Sequence, residues 1–270
     1  MPTLWSNCLC AWLLGGGGEI PLFLALLLGL SLIYLGGMYL NDYCDAAWDR
    51  EFRSERPIPS GQVTRATVLV AVVLFFIAGV GCLLWAGWQT LPAGAILLLL
   101  IVLYNHLHKR TALTVPLMAA CRTAVYWVVG AVSLEGVIPE IGLAGILMFF
   151  YVMGITWLAR GESRPGPTSP LAFISLAAPM LAVALLGMQN PGFQLLTVGM
   201  AAGWMLYVFR SALVNGLLKV GKTIGPLLAG ICWVDLAILG SLGHASTGVG
   251  VGFAALFLLA LVAQRFIPAS

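Results

Sequence analysis

The chain has 270 residues, of which 61% are hydrophobic and only 9% charged. Its mean hydropathy is +1.01, whereas a typical soluble domain carries about a quarter of its residues as charges, so a soluble globular protein is excluded and an integral membrane protein is expected. The net charge of +3 comes from basic residues scattered over several loops, which excludes the single basic stripe of a nucleic-acid binder.

Apolar segments occupy residues 3–15, 20–43, 66–88, 91–105, 115–134, 139–159, 169–188, 191–209, 224–243 and 247–264. They are evenly spread, with no polar stretch long enough for a separate soluble unit. Residues 1–270 therefore read as one domain, an all-α polytopic transmembrane helix bundle. A spanning helix needs about 20 residues; the first and fourth segments are short, which leaves nine or ten spans. The first segment lacks a basic leader and a small-residue cleavage site, so it is expected to be the first helix, with GGGG at 15–18 as the turn after it. Cys8, Cys10, Cys44, Cys82, Cys121 and Cys232 lie in or beside these segments without CxxC spacing and read as small buried hydrophobes.

The Lys and Arg residues fall on alternate connections. Arg50, Arg53, Arg56 and Arg65 follow the second segment, Lys109 and Arg110 the fourth, and Arg160 and Arg164 the sixth. Arg210, Lys219 and Lys222 follow the eighth, and Arg265 the tenth. The opposite connections carry Glu19, Glu135, Glu140 and His244 but no Lys or Arg. The positive-inside rule places the first side, and both termini if all ten segments span, in the cytoplasm.

Behind the second segment the sequence reads NDYCDAAWDREFRSERPIPSG, residues 41–61. At about 100° per residue, and taking Asp42 as zero, Asp45 falls at about −60° and Asp49 at about −20° on a helix continuing into the cytoplasmic interface. Asn41 flanks the same face. Three carboxylates so close repel one another unless cations neutralise them. Mg²⁺ suits such a platform, because it takes oxygen ligands and is usually held by one or two carboxylates together with substrate phosphates. The spacing thus suggests a magnesium-diphosphate site, with Asn41 as an oxygen ligand or an orienting donor. Arg50, Arg53 and Arg56 add planar donors for phosphate oxygens, and PIPSG makes a stiff turn into the third segment. The competing reading is a plain interfacial helix end with ordinary i,i+3 and i,i+4 ion pairs.

Asn41-Asp42-x-x-Asp45-x-x-x-Asp49, followed by Arg56-Pro57-Ile58-Pro59-Ser60-Gly61, closely resembles the first signature of the UbiA superfamily of intramembrane prenyltransferases, NDxxDxxxD with a loop ending RPI-x-SG. The likeness extends to Tyr104-x-x-x-x-Lys109-Arg110 and to the overall hydropathy, but is sharp only over residues 41–61. It implies a helix bundle around a central cavity, with two aspartate-rich motifs at the cytoplasmic ends of the second and sixth helices. Those motifs hold magnesium and the diphosphate of a polyprenyl donor, whose prenyl group passes to an aromatic or other acceptor. On this resemblance Asn41, Asp42, Asp45 and Asp49 are metal and diphosphate ligands, and Arg53 and Arg56 contact the diphosphate.

The second motif, usually DxxxD, is missing. Its place is taken by LARGESRPGPTSP, residues 158–170, where Glu162 is the one acid. An intact first motif with an RGE-type second one looks like the EboC-like branch of the superfamily. Two readings follow: a transferase in which Arg160 and Arg164 supply the positive charge of the second metal, or a membrane binder or transport component that keeps the fold without the chemistry. A CDP-alcohol phosphotransferase would need a D-G-x-x-A-R element that this chain lacks.

Other polar residues lie within the apolar segments. Arg122, in the fifth, should face the interior and have a partner; it is a candidate contact for a substrate phosphate or the aspartates, or else part of a structural pair. Asp235, in the ninth, is a candidate proton or acceptor site or, foremost, a hydrogen-bonded packing residue. Among Tyr104, Asn105, His106, His108 and Lys109, Lys109 is a candidate phosphate contact, and the histidines are candidate bases or ordinary interfacial residues.

Overall fold

The computed structural model describes residues 1–107, 111–162, 169–186, 191–214 and 217–266. In chain order the helices are α1 (Pro2–Leu14), α2 (Ile20–Phe52), α3 (Arg65–Ala86), α4 (Leu91–Leu107, entered through a 3-10 turn at Trp88–Thr90), α5 (Thr114–Gly130) and α6 (Pro139–Glu162). They continue with α7 (Pro170–Leu185), α8 (Pro191–Ala212), α9 (Gly221–Ala229), α10 (Ile231–Ser241) and α11 (Thr247–Phe266). Among the described residues the one sheet is a short antiparallel ladder of β1 (Leu213–Val214) with β2 (Leu217–Leu218).

Each apolar segment of the sequence is helical. By length and composition α2, α3, α4 with its 3-10 turn, α6, α8 and α11 can each cross a bilayer, and α9 with α10, bent by 40°, makes a seventh span if taken as one. α1, α5 and α7 have 13, 17 and 16 residues, short of the about 20 that a straight span requires. Among the described residues, length and composition thus account for six or seven of the nine or ten spans that hydropathy suggested. Hydropathy scores apolar residues alike whether they face lipid or other helices, and α1 is buried over most of its length.

Neighbouring helices pack in series: α2 packs on α3 and α4, and contacts then run through α5, α6, α7, α8 and α10 to α11. α1 joins the two ends of that series, touching α2, α5, α6, α10 and α11. Outward faces carry large apolar side chains such as Val70, Leu74 and Ile77 on α3, Leu195 and Leu206 on α8, and Val251 and Leu258 on α11. That is the surface expected where lipid is the solvent.

The bend between α9 and α10 has a local cause. Pro226 lies inside α9 and contributes no N–H, and at Gly230 a Cβ would stand 2.7 Å from the Tyr151 hydroxyl. Side chains from three helices bond successive carbonyls beside the bend. Gln264 Nε2 donates to Gly225 at 2.7 Å, Trp204 Nε1 to Pro226 at 2.9 Å and the Tyr151 hydroxyl to Leu227 at 2.9 Å. Non-helical backbone at membrane depth is tolerated only with such partners.

α2 and α3 approach most closely where Gly29 faces Gly79: a Cβ on either would lie 2.9 Å from the other's carbonyl oxygen. This contact sets the hairpin whose connection carries the loop after residue 52. Gly79→Val is expected to separate the two helices and to cost about 1–3 kcal/mol, seen as a lowered midpoint of thermal unfolding in detergent. Val at Gly81, where nothing lies within 4 Å, is the control that should leave the midpoint unchanged.

Candidate active site

α2 has 33 residues, about 50 Å at 1.5 Å per residue, against about 30 Å for the hydrocarbon core. Its last turns therefore extend beyond the apolar zone, and the helix runs unbroken through Asp42, Asp45 and Asp49. The three acids share one helix face, as their spacing requires, but differ in depth: the Asp42 side chain is 46% exposed and that of Asp49 only 4%.

The loop after α2 folds back over this face. Arg53 N–H bonds the Asp49 carbonyl, Arg56 N–H bonds that of Arg53, and Ser60 N–H bonds that of Arg56 at 2.9 Å. Gly61, at φ +78°, completes the turn in a conformation that favours glycine. This geometry aims Arg56 at the acids. Its Nη1 donates to Asp42 Oδ1 at 2.9 Å, and its Nε lies 3.9 Å from Asp49 Oδ2. One guanidinium thus bridges two carboxylates two helical turns apart.

Asp45 accepts from Asn41 Nδ2 at 3.3 Å, so of the two roles read for Asn41 the structure displays the orienting donor. Tyr104 of α4 lies within electrostatic reach of Asp45. Arg53, expected beside Arg56, is held instead over Trp48, 6.0 Å from the ring centroid, and Trp48 stacks on Phe52 at 4.6 Å. Arg65 lies over the Tyr43 ring at 4.4 Å and donates to the Tyr43 carbonyl at 3.2 Å. It ties the start of α3 to the end of α2, a role that sequence spacing did not reveal.

Arg122 does not bond the aspartates. Its Nη1 donates to Asn7 Oδ1 at 3.1 Å and its Nη2 to Thr3 Oγ1 at 3.3 Å, with the guanidinium 5.9 Å from the Tyr34 ring centroid. Asn7 Nδ2 in turn donates to Asp235 Oδ2 and to the Tyr126 hydroxyl, both at 3.0 Å. Asp235 is fully buried and also accepts from Ser6 and Tyr126, which bears out its reading as a hydrogen-bonded packing residue. Sequence could not have found this set, because its members come from α1, α5 and α10.

On the far side of α5, Arg160 Nη1 donates to Thr114 Oγ1 at 3.3 Å. Its Nε, with Thr111 Oγ1 and Asn105 Oδ1, is buried without a hydrogen-bond partner among the described residues. Glu162 ends α6, but its side chain lies outside the described residues, as do Lys109 and Arg164. His108 is likewise outside them, and His106 is exposed at the end of α4.

An acid-bearing face on an overlong membrane helix, covered by an arginine loop, is what the family pattern implied, and the chain matches the UbiA prenyltransferase family over residues 1–217. The chain belongs to that family. It is 28% identical over 218 residues to protoheme IX farnesyltransferase 2 of Pseudomonas aeruginosa, covering 70% of this chain and 72% of that one. It is 32% identical over 105 residues to 4-hydroxybenzoate octaprenyltransferase of Vesicomyosocius okutanii, or 38% of this chain and 37% of that one. To digeranylgeranylglyceryl phosphate synthase of Sulfolobus acidocaldarius it is 28% identical over 149 residues, 54% and 53% of the two chains. The matched stretch thus spans about a third to a half of the latter two relatives. A solved structure of a digeranylgeranylglyceryl phosphate synthase shares the fold, with a TM-score of 0.62 over 89% of this chain and 94% of that one, at 16% identity.

The donors of this UbiA-family site suit magnesium held partly by substrate. Among the described residues no three His, Cys, Asp or Glu side chains converge into a closed metal cage. Individual carboxylates and an amide line one face, with phosphate oxygens and water left to complete the shell, as Mg²⁺ prefers. Because Arg56 occupies Asp42 Oδ1, it competes with a cation there. Arg56→Gln is therefore expected to tighten Mg²⁺ binding without diphosphate by about three- to tenfold and to weaken magnesium-pyrophosphate binding. Isothermal titration reads both, and an unchanged Mg²⁺ affinity would separate Arg56 from the metal site.

Proposed function

We propose that this chain is a magnesium-dependent intramembrane prenyltransferase of the EboC-like kind, passing a prenyl group from a prenyl diphosphate to an aromatic or other acceptor. The observation that carries this reading is the face of α2 on which Asp42, Asp45 and Asp49 lie under the bridging guanidinium of Arg56. The Lys and Arg bias puts that face on the cytoplasmic side.

In the reaction the bond between the prenyl C1 and the diphosphate oxygen breaks, and its electron pair leaves with the diphosphate. The acceptor then bonds C1 and releases a proton. Magnesium held by one or two of Asp42, Asp45 and Asp49 at a time, together with phosphate oxygens, would neutralise charge on the leaving diphosphate. Asn41 holds Asp45 in place. Arg56 presents a planar donor fork to phosphate oxygens, and Arg53, held over Trp48, is the second proposed diphosphate contact. The apolar interior below excludes water that would otherwise capture the allylic cation. Arg160 and Glu162 at the end of α6, with Lys109 and Arg164 from the sequence, complete the proposed contacts, the arginines supplying fixed positive charge where the second acidic motif is missing. The Nε of Arg160, buried without a hydrogen-bond partner among the described residues, is a donor that a phosphate oxygen could use.

The stretch at 158–170, with Glu162 as its one acid, favours a second reading: a non-catalytic binder or transport component that keeps the fold and half the site. A pyrophosphate-release assay separates the two. Purified chain, Mg²⁺ and a panel of prenyl diphosphates and acceptors should release pyrophosphate, and Asp42→Ala with Asp45→Ala should lower the rate by about a hundredfold or more. Saturable binding of prenyl diphosphates without release for any donor and acceptor would favour the binder.

A further inference from the structure

The cation-bearing end of the bundle shares its charge unevenly. Around α2 and α3, Arg50, Arg53, Arg56 and Arg65 are matched by Asp42, Asp45, Asp49, Glu51 and Glu55. From residue 163 to the last, by contrast, the one acid is Asp235, and it is fully buried in α10. Arg210, Lys219, Lys222 and Arg265 of that stretch are exposed, so this sector is cationic without a balancing carboxylate.

The backbone gathers these four residues. α8 ends at Ala212, two residues beyond Arg210, and the β1–β2 ladder turns the chain back so that Lys219 N–H bonds the Ala212 carbonyl at 3.0 Å. Lys222 N–H bonds the Lys219 carbonyl at 3.0 Å, at the start of α9. Gln264 Nε2 reaches the Gly225 carbonyl of α9 at 2.7 Å, which brings Arg265 to the same place.

An apolar groove of about 330 Å³ lies on the adjoining outer flank, between Ala177 and Leu181 of α7 and Ala202, Met205, Leu206 and Phe209 of α8. From Ala202 to Phe209 it runs for about 10 Å along α8. Arg210 follows Leu206 by four residues, so it stands on the same helix face one turn nearer the cations. A ligand that fits both features is apolar along the groove and anionic at its end. With no carboxylate to hold magnesium, the patch suits the single charge of a phosphodiester and not a magnesium-diphosphate complex. A second copy docked two-fold on this flank would set its own four cations against these, which disfavours that occupant.

We propose that this flank binds one anionic phospholipid of the surrounding leaflet, with an acyl chain in the α7–α8 groove and the phosphodiester between Arg210 and Lys219, flanked by Lys222 and Arg265. The lipid ties together the ends of α8, α9 and α11 beside the broken span. The site is separate from the acids of α2, because α8 packs chiefly on α10, α7 and α9, and α2 chiefly on α3, α4 and α1. It therefore stands whether or not the chain transfers prenyl groups.

The test is native mass spectrometry of the full-length chain in neutral detergent, with phosphatidylglycerol and phosphatidylcholine of identical acyl chains. Phosphatidylglycerol should bind about tenfold or more tightly, since each cation near an anionic headgroup is worth about fivefold. Arg210→Gln with Lys219→Gln should remove about tenfold or more of that affinity and leave phosphatidylcholine unchanged, whereas Arg210→Lys with Lys219→Arg should keep the preference. Arg65→Gln, which removes a cation from the acid-matched sector, should change it by less than about twofold. Ala202→Trp fills the groove from its exposed, lipid-facing side and should weaken both lipids by about threefold or more. Neither glycerol 3-phosphate nor saturating magnesium-pyrophosphate should displace phosphatidylglycerol. Equal affinity for the two lipids, a preference unchanged in the double Gln variant, or an equal loss in Arg65→Gln would overturn the proposal. Displacement by glycerol 3-phosphate or magnesium-pyrophosphate would also overturn it, giving the patch to free phosphate or to the diphosphate site. So would a dimer that Ala202→Trp converts to a monomer, because the groove would then belong to a second copy.

Discussion

A polar atom in hydrocarbon has no water to turn to, and this chain places a carboxylate, a guanidinium and a broken helix inside its bundle. Each must be satisfied by protein. That constraint explains why α1, with only 13 residues, is buried among its neighbours: Thr3, Ser6 and Asn7 are the partners of Arg122 and Asp235. It also explains why Tyr151, Trp204 and Gln264, from α6, α8 and α11, converge on three successive carbonyls of α9. The polar interior is therefore a set of links between helices, and it orders the bundle around α1.

The same constraint separates the site into layers. Carboxylates lie where α2 leaves the apolar zone, with Arg56 from the returning loop over them. Two helical turns deeper, Tyr34 and Arg122 form a second polar level on the same face.

The two halves of the expected family site are built differently. On α2 the charge is negative and bridged by one arginine. At the end of α6 it is Arg160 that turns inward, bonded to Thr114 and with a buried donor unpartnered among the described residues. A guanidinium is permanently charged and needs no metal to meet a phosphate oxygen. The replacement of acids by RGE at that end therefore changes the sign of the fixed charge there, which bears on how a leaving diphosphate is held.

What the sequence by itself determined is local or compositional. The excess of apolar residues requires a membrane bundle, and the spacing of Asp42, Asp45 and Asp49 puts them on one helix face, since a helix's periodicity depends only on neighbours along the chain. The signature at 41–61 was enough to name the family. Tertiary structure decided the rest. Of two arginines three residues apart, only Arg56 meets the acids, because the turn through Gly61 aims one and leaves the other on Trp48. The partners of Arg122 and Asp235 lie more than a hundred residues away on α1, and no local period encodes such distances. Hydropathy suggested nine or ten spans, but it cannot tell a residue facing lipid from one facing another helix. Only packing makes that distinction, and it drew α1 into the interior as the partner of buried charge.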